Sequence, residues 1–135
     1  MVRGAKGGAV STVPTILIAD DDVAVRRTIT QHLVRGGYGV RETSTGKEAL
    51  DVIRGGGVDL VIADVYMPDM DGIEFISRAS QEVGAPKVIV MSGGGHRDKE
   101  TVLAMASRLG AAQTLEKPFS RDQLLEAVRA QLGTP

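Results

Sequence analysis

Four places in this 135-residue chain put chemically capable side chains directly after short apolar runs. They are the triplet Asp20-Asp21-Asp22 after "ILIA", Asp64 after "LVIA", Ser92 after "VIVM" and Lys117 after "TLE". Neighbouring carboxylates repel unless a cation lies between them, and a hard cation with oxygen ligands, Mg2+ above all, suits such a set. Mg2+ takes one or two carboxylates and completes its shell with water and phosphate oxygens. A lysine and a hydroxyl across the site would contact the remaining oxygens of that phosphate. A carboxylate can itself attack phosphorus to form an aspartyl phosphate. The protein then mainly positions the group and neutralises its charge.

Taken singly, each residue has a plainer role. Asp21 or Asp22 would cap a following helix. Asp64 would open the turn "YMPDMDG", Ser92 would begin the loop at Gly93-Gly94-Gly95, and Lys117 would be a solvated lysine before a Pro turn. Their joint placement makes a site, and that placement depends on the elements between them.

Short β-branched runs at 15–19, 38–43, 60–63, 87–91 and 113–116 read as strands. Four of them lack sustained polar alternation, so both of their faces should be covered. The second carries Arg41 and Glu42 and reads as an edge. Between the runs lie apolar stripes at helical spacing: Val25, Ile29 and Leu33; Ala49, Leu50 and Ile53; Ile73 and Ile76; Val102, Leu103, Ala106 and Leu109; Leu124, Leu125, Val128 and Leu132. Thr45-x-x-Glu48 and Ser120-x-x-Gln123 are capping boxes, and Asp71 or Gly72 opens the middle helix. Gly36-Gly37, Gly55-Gly56-Gly57 and Gly110 supply stop signals. Five β-α units in succession predict an α/β fold, a five-stranded parallel sheet with five helices on both faces. Ligands of such sheets bind beyond the carboxyl ends of the strands, where all four polar positions fall.

The length fits one domain. The expected layout is a flexible leader over 1–14, a domain over 15–132 and a tail over 133–135. The absence of cysteine excludes a disulfide framework, a thiolate metal site and a cysteine nucleophile. A net charge of -1 predicts no basic footprint for direct nucleic-acid binding, and 3% aromatic residues without Trp argue against base-stacking platforms. The apolar runs are too short to span a membrane, and a cytoplasmic location is expected. His32 and His96 lack paired ligand spacing and read as surface residues.

The motifs "ILIADDD", "DLVIADVYMPDMDG", "VIVMSG" and "EKPF", in that order, resemble those of a response-regulator receiver domain of bacterial two-component signalling, of the chemotaxis-type single-domain form. The resemblance covers 15–132 and implies a flavodoxin-like, doubly wound fold. It implies that Asp64 is the phosphoacceptor and that Asp20 and Asp21 hold Mg2+ with Asp64 and the backbone carbonyl of Tyr66. Asp21 would be the more direct ligand and Asp20 would act largely through water. Ser92 would bond a phosphoryl oxygen, Lys117 would pair with it, and the bond preceding Pro118 would be cis. The implied partners are a histidine kinase or phosphotransfer protein and a downstream protein target, with the domain a monomer or weak dimer. The implied activity is not that of an enzyme beyond self-phosphorylation and autodephosphorylation.

Three positions depart from the family pattern. Thr114 stands three residues before Lys117, where Tyr or Phe is usual, so the switch pair Ser92 and Thr114 would give a weaker or different readout. Tyr66, two after Asp64, replaces a small polar residue, and its ring would screen attacking water. The loop "GGGHRDKE" is longer and richer in glycine than usual and reads as a mobile signalling loop. Two other functions compete. Asp20-x-Asp22 also fits a haloacid-dehalogenase-type phosphatase, although that reading leaves Asp64 and "MPDMDG" unused and lacks a further acidic motif after Lys117. A phosphorylation-independent interaction module would keep the fold alone. Whether the domain stands alone or belongs to a larger regulator or hybrid kinase is not written in these residues.

Overall fold

The computed structural model describes residues 13–93 and 99–133. Most of the expected leader, the loop 94–98 with His96, the end of the tail, and the side chains of Val102 and Leu103 lie outside the described residues. The elements alternate throughout: β1 (Thr15–Ala19), α1 (Val23–Arg35), β2 (Gly39–Thr43), α2 (Gly46–Arg54), β3 (Leu60–Asp64), α3 (Gly72–Ser80), β4 (Lys87–Gly93), α4 (Lys99–Arg108), β5 (Gln113–Lys117) and α5 (Arg121–Leu132). The five strands form one parallel sheet in the order β2-β1-β3-β4-β5. This is the doubly wound arrangement, with the crossover direction reversing between β1 and β3.

Alternation along the strands divides the core in two. Ile16, Ile18, Leu60, Ile62, Ile89 and Met91 face α1 and α5, where Ile29, Leu33, Leu124 and Val128 meet them. Leu17, Ala19, Val61, Ala63, Val88 and Val90 face the other layer and pack against Leu50, Phe75, Ile76 and Ala106 of α2, α3 and α4. Because β1, β3 and β4 are buried on both faces, their apolar runs are continuous. The expectation that β5 is equally covered is corrected. As the second edge strand it is only partly buried, and Glu116 is exposed. Leu109 is also corrected: it follows the end of α4 and is exposed rather than part of the apolar stripe.

The helix starts follow from capping. Asp22, Asp71 and Ser120 each accept an N–H from the residue three positions on, and Ser120 with Gln123 forms the full reciprocal box. The Thr45 box is half as expected. Thr45 Oγ1 accepts from Glu48 N–H, but the Glu48 carboxylate reaches back to the N–H and hydroxyl of Ser44.

Gly72 has a stricter reason to be glycine. A Cβ there would lie 2.7 Å from Val65 Cα and 3.3 Å from the Asp64 carbonyl oxygen, both of them backbone atoms. Gly72→Ala is expected to cost about 1–3 kcal/mol by overpacking, read as a lowered urea midpoint. A variant as stable as wild type would show that the turn yields without cost.

Candidate functional site

The site is assembled by the carboxyl ends of three adjacent strands and of β5. Asp20 directly follows β1, Asp64 ends β3, Ser92 is the next-to-last residue of β4, and Lys117 ends β5. Register aligns them: Ala19 pairs with Ala63, Asp64 with Met91, and Gly93 with Lys117. Asp20 is fully buried, while Asp64 and Ser92 are 8% and 2% exposed. Asp21 is exposed at the mouth.

Lys117 Nζ bridges the two buried acids, 2.8 Å from Asp20 Oδ2 and 3.2 Å from Asp64 Oδ2. The other oxygens are held by backbone. Asp22 N–H donates to Asp20 Oδ1 at 2.9 Å, and Tyr66 N–H donates to Asp64 Oδ1 at 3.1 Å. Arg26, on α1, donates to the Asp20 carbonyl oxygen at 2.8 Å and pairs with Glu42 of β2 at 3.1 Å. Arg26 therefore ties the acidic turn to the helix and the edge strand. The sequence reading missed it, because an arginine outside the apolar stripe of a helix carries no signal of its own, although here its side chain is only 15% exposed.

Electrostatics follow from burial and like charge. Burial, reinforced by the Asp20 carboxylate, holds Asp64 above the ordinary carboxylate range, although the Tyr66 N–H and the Lys117 ammonium oppose it. Burial alone would lower Lys117, but its bonds and charge attraction to Asp20 and Asp64 outweigh that and raise it. One ammonium thus serves two carboxylates.

Among the described residues, Asp20, Asp21 and Asp64 are the group whose carboxylates converge as a metal site would need, with one oxygen of each lying within 4.8 Å of the others. Hard oxygen donors in excess of the available positive charge suit a small divalent cation. Ser92 Oγ is buried and has no hydrogen-bond partner among the described residues. A buried hydroxyl without a partner is costly, and this one stands at the same strand end as the acids. The set therefore fits a cation together with an oxyanion.

Asp22 does not join it. It is exposed, and its carboxylate accepts from Val25 N–H as the cap of α1. This takes the second acid of the Asp20-x-Asp22 phosphatase reading away from the cluster. Tyr66, whose N–H bonds Asp64, is 40% exposed as a residue. Thr114, two strands away from β3, is half-buried and pairs in register with Val90. The Lys117–Pro118 peptide bond is cis. His32 is half-buried rather than on the surface, and its buried Nδ1 has no partner among the described residues. Beyond Lys117, an apolar groove of about 310 Å³ runs between α1 and the β5–α5 turn, lined by Val25, Thr28, Pro118 and Phe119. No helix among the described residues is long and apolar enough to cross a membrane.

A family model described as the response regulator receiver domain matches residues 16–129. The chain is similar to the DNA-binding transcriptional regulator NtrC of Azospirillum brasilense, with 36% identity over 120 residues, which is 89% of this chain and 24% of that protein. It is similar to the response regulator MprA of Mycolicibacterium vanbaalenii, with 35% identity over 117 residues, 87% of this chain and 49% of that protein. The chain therefore spans from about a quarter to about half the length of these relatives. Among solved structures it resembles a CheY-like response regulator receiver domain protein from Methanospirillum hungatei JF-1. The TM-score is 0.82 at 30% identity, covering 90% of this chain and 94% of that one.

Proposed function

The chain belongs to the response regulator receiver domain family, the phosphorylation-dependent switches of two-component signalling, and from that membership we propose that Asp64 is the residue that takes the phosphoryl group. The observation that carries this reading is the convergence of the Asp20, Asp21 and Asp64 carboxylates, two of them bridged by the Lys117 ammonium, with the buried Ser92 hydroxyl at the end of the neighbouring strand without a partner among the described residues. The donor is a phosphohistidine on a histidine kinase or phosphotransfer protein. An Asp64 carboxylate oxygen forms the new O–P bond as the donor's N–P bond breaks, and the imidazole leaves with that electron pair and gains a proton. Lys117 releases Asp64 Oδ2 and pairs with a phosphoryl oxygen, and the Ser92 hydroxyl donates to another. The carboxylates of Asp20, Asp21 and Asp64 and the carbonyl of Tyr66 would hold Mg2+, which would supply the positive charge that phosphoryl transfer needs.

Ser92 moving toward the phosphoryl group, with Thr114 behind it, would shift the population of the β4–α4 and β5 surface and so change protein contacts. The small Thr114 side chain supports a readout that differs from an aromatic rotation. NtrC of Azospirillum brasilense is described as DNA-binding. A DNA-linked output through segments beyond this domain is one route for the signal, with the receiver itself working by protein contact. The phosphoryl chemistry is tested by incubating the domain with acetyl phosphate with and without Mg2+. Uptake of one phosphoryl group per chain that requires the cation supports the reading. Equal uptake without any divalent cation contradicts it.

Tyr66 sets a second expectation. Tyr66 is exposed two residues after Asp64, and its ring would screen the water that hydrolyses the aspartyl phosphate. Tyr66→Asn is expected to shorten the phosphoryl lifetime several-fold, followed as loss of label after the donor is removed. An unchanged lifetime would show that the ring does not screen water.

A further inference from the structure

Asp69 lies five residues after Asp64, in the β3–α3 loop that also carries the Tyr66 carbonyl. Its two carboxylate oxygens accept from the N–H groups of Gly46 and Lys47, each at 2.9 Å. These are the first two residues of α2. Thr45 Oγ1 takes the next N–H, that of Glu48. The free donors of the first turn are thus divided between the helix's own cap and a side chain from 22 positions further along the chain. Met70 adds an apolar contact at the same point, since a Cβ on Gly46 would meet Met70 Cγ at 2.5 Å. Desolvation would raise the exposed Asp69 carboxyl, yet backbone N–H groups, those of Gly46 and Lys47 foremost, hold it below its ordinary value.

The base of this loop is fixed separately. Val65 N–H donates to the Met91 carbonyl at 2.9 Å, Gly72 N–H donates to the Val65 carbonyl, and Tyr66 bridges to Asp71. The sheet therefore holds the start of the loop, while Asp69 ties its later part to α2. The Tyr66 carbonyl lies between these two attachments.

We propose that Asp69 is a positioning residue: its clamp on the α2 N-terminus sets the Tyr66 carbonyl against Asp64 for cation binding, and cation occupancy in turn tightens the clamp. The proposal rests on the reading of Asp64 as a Mg2+-dependent phosphoacceptor. The effect in each direction has the same free energy, because coupling between two sites is reciprocal. An outer group that orients a metal ligand typically changes metal affinity about 10–100-fold.

The test uses the whole chain, labelled with nitrogen-15, and adds Mg2+ alone. Chemical shifts give the Mg2+ affinity, and amide hydrogen exchange reports the clamp at Gly46 and Lys47. In the wild type, Mg2+ is expected to slow exchange at both amides several-fold. Asp69→Ala is expected to weaken Mg2+ binding about tenfold and to remove the effect of Mg2+ on those two amides. Asp69→Asn keeps one acceptor oxygen and is expected to recover part of both. A residue that merely stabilised α2 would speed exchange at Gly46 and Lys47 without changing Mg2+ affinity. Affinity in Asp69→Ala within twofold of a normally binding wild type overturns the clamp and leaves the phosphoacceptor reading standing. So does a wild type in which Mg2+ binds but leaves both amides unchanged, even if the alanine variant fails to fold. A wild type that binds no Mg2+ at all contradicts the phosphoacceptor reading, and the clamp falls with it.

Discussion

Asp64→Asn is expected to lower phosphoryl uptake from acetyl phosphate to background, at least about 10³-fold, while leaving the domain folded. The amide has no anionic oxygen with which to attack phosphorus. Stability is expected to move the other way. Burial first, and the Asp20 charge after it, raise the Asp64 carboxyl above its ordinary value. A raised carboxyl binds its proton more tightly in the folded chain than in the unfolded one. Its contribution to stability is therefore greatest below the unfolded value and is lost as pH rises through the folded value. At neutral pH the ionised group is a net cost in the metal-free domain, and Asn removes that cost. Urea melts at pH 7 should show a midpoint at or slightly above wild type. A variant that labels at the wild-type rate, or that unfolds, contradicts this account of Asp64.

Lys117→Met carries the second large effect, and its sign reverses. Asp20 is fully buried and its Oδ2 rests on the Lys117 ammonium, as does that of Asp64. Removing the cation leaves two buried like charges facing each other. Breaking one side of a buried pair costs about 3–5 kcal/mol, and a loss of about 3 kcal/mol is expected for the metal-free domain. The loss should shrink in acid, as the raised Asp64 carboxyl gains its proton. Added Mg2+ should restore more stability to this variant than it adds to the wild type, because a ligand of the folded state alone stabilises by mass action. Denaturant melts with and without Mg2+ measure both terms. A metal-free midpoint equal to that of the wild type would show that Lys117 does not hold the acids together.

The fold was legible because three central strands are apolar on both faces and because α1, α2, α3 and α5 each carry a periodic stripe with its own cap. The strand ends were less so. β3, β4 and β5 each continue through the polar residue expected to follow them, since Asp64, Ser92 and Lys117 still satisfy the sheet's backbone bonds. The edge position of β5 was hidden by its short length, as burial of an edge depends on neighbours that composition does not reveal. The meeting of Asp20, Asp64 and Lys117 could be read because they sit at strand ends, and strand order brings such ends together. Asp22 shows the limit of that logic. It shares the triplet with Asp20 and Asp21 but turns to cap α1. Arg26 and Asp69 show it from the other side. Arg26 binds the Asp20 carbonyl six residues back and Asp69 binds peptide groups 23 and 22 residues away, and no sequence pattern marks either side chain for that role.

The location of the phosphoryl group tests the central claim most directly. The chain would be phosphorylated with acetyl phosphate and Mg2+, reduced with borohydride, digested and sequenced by mass spectrometry. Reduction converts an aspartyl phosphate to homoserine, which marks the acceptor. The account predicts homoserine at position 64 and at no other aspartate. Homoserine at position 20, or label that survives with position 64 unmodified, would contradict it.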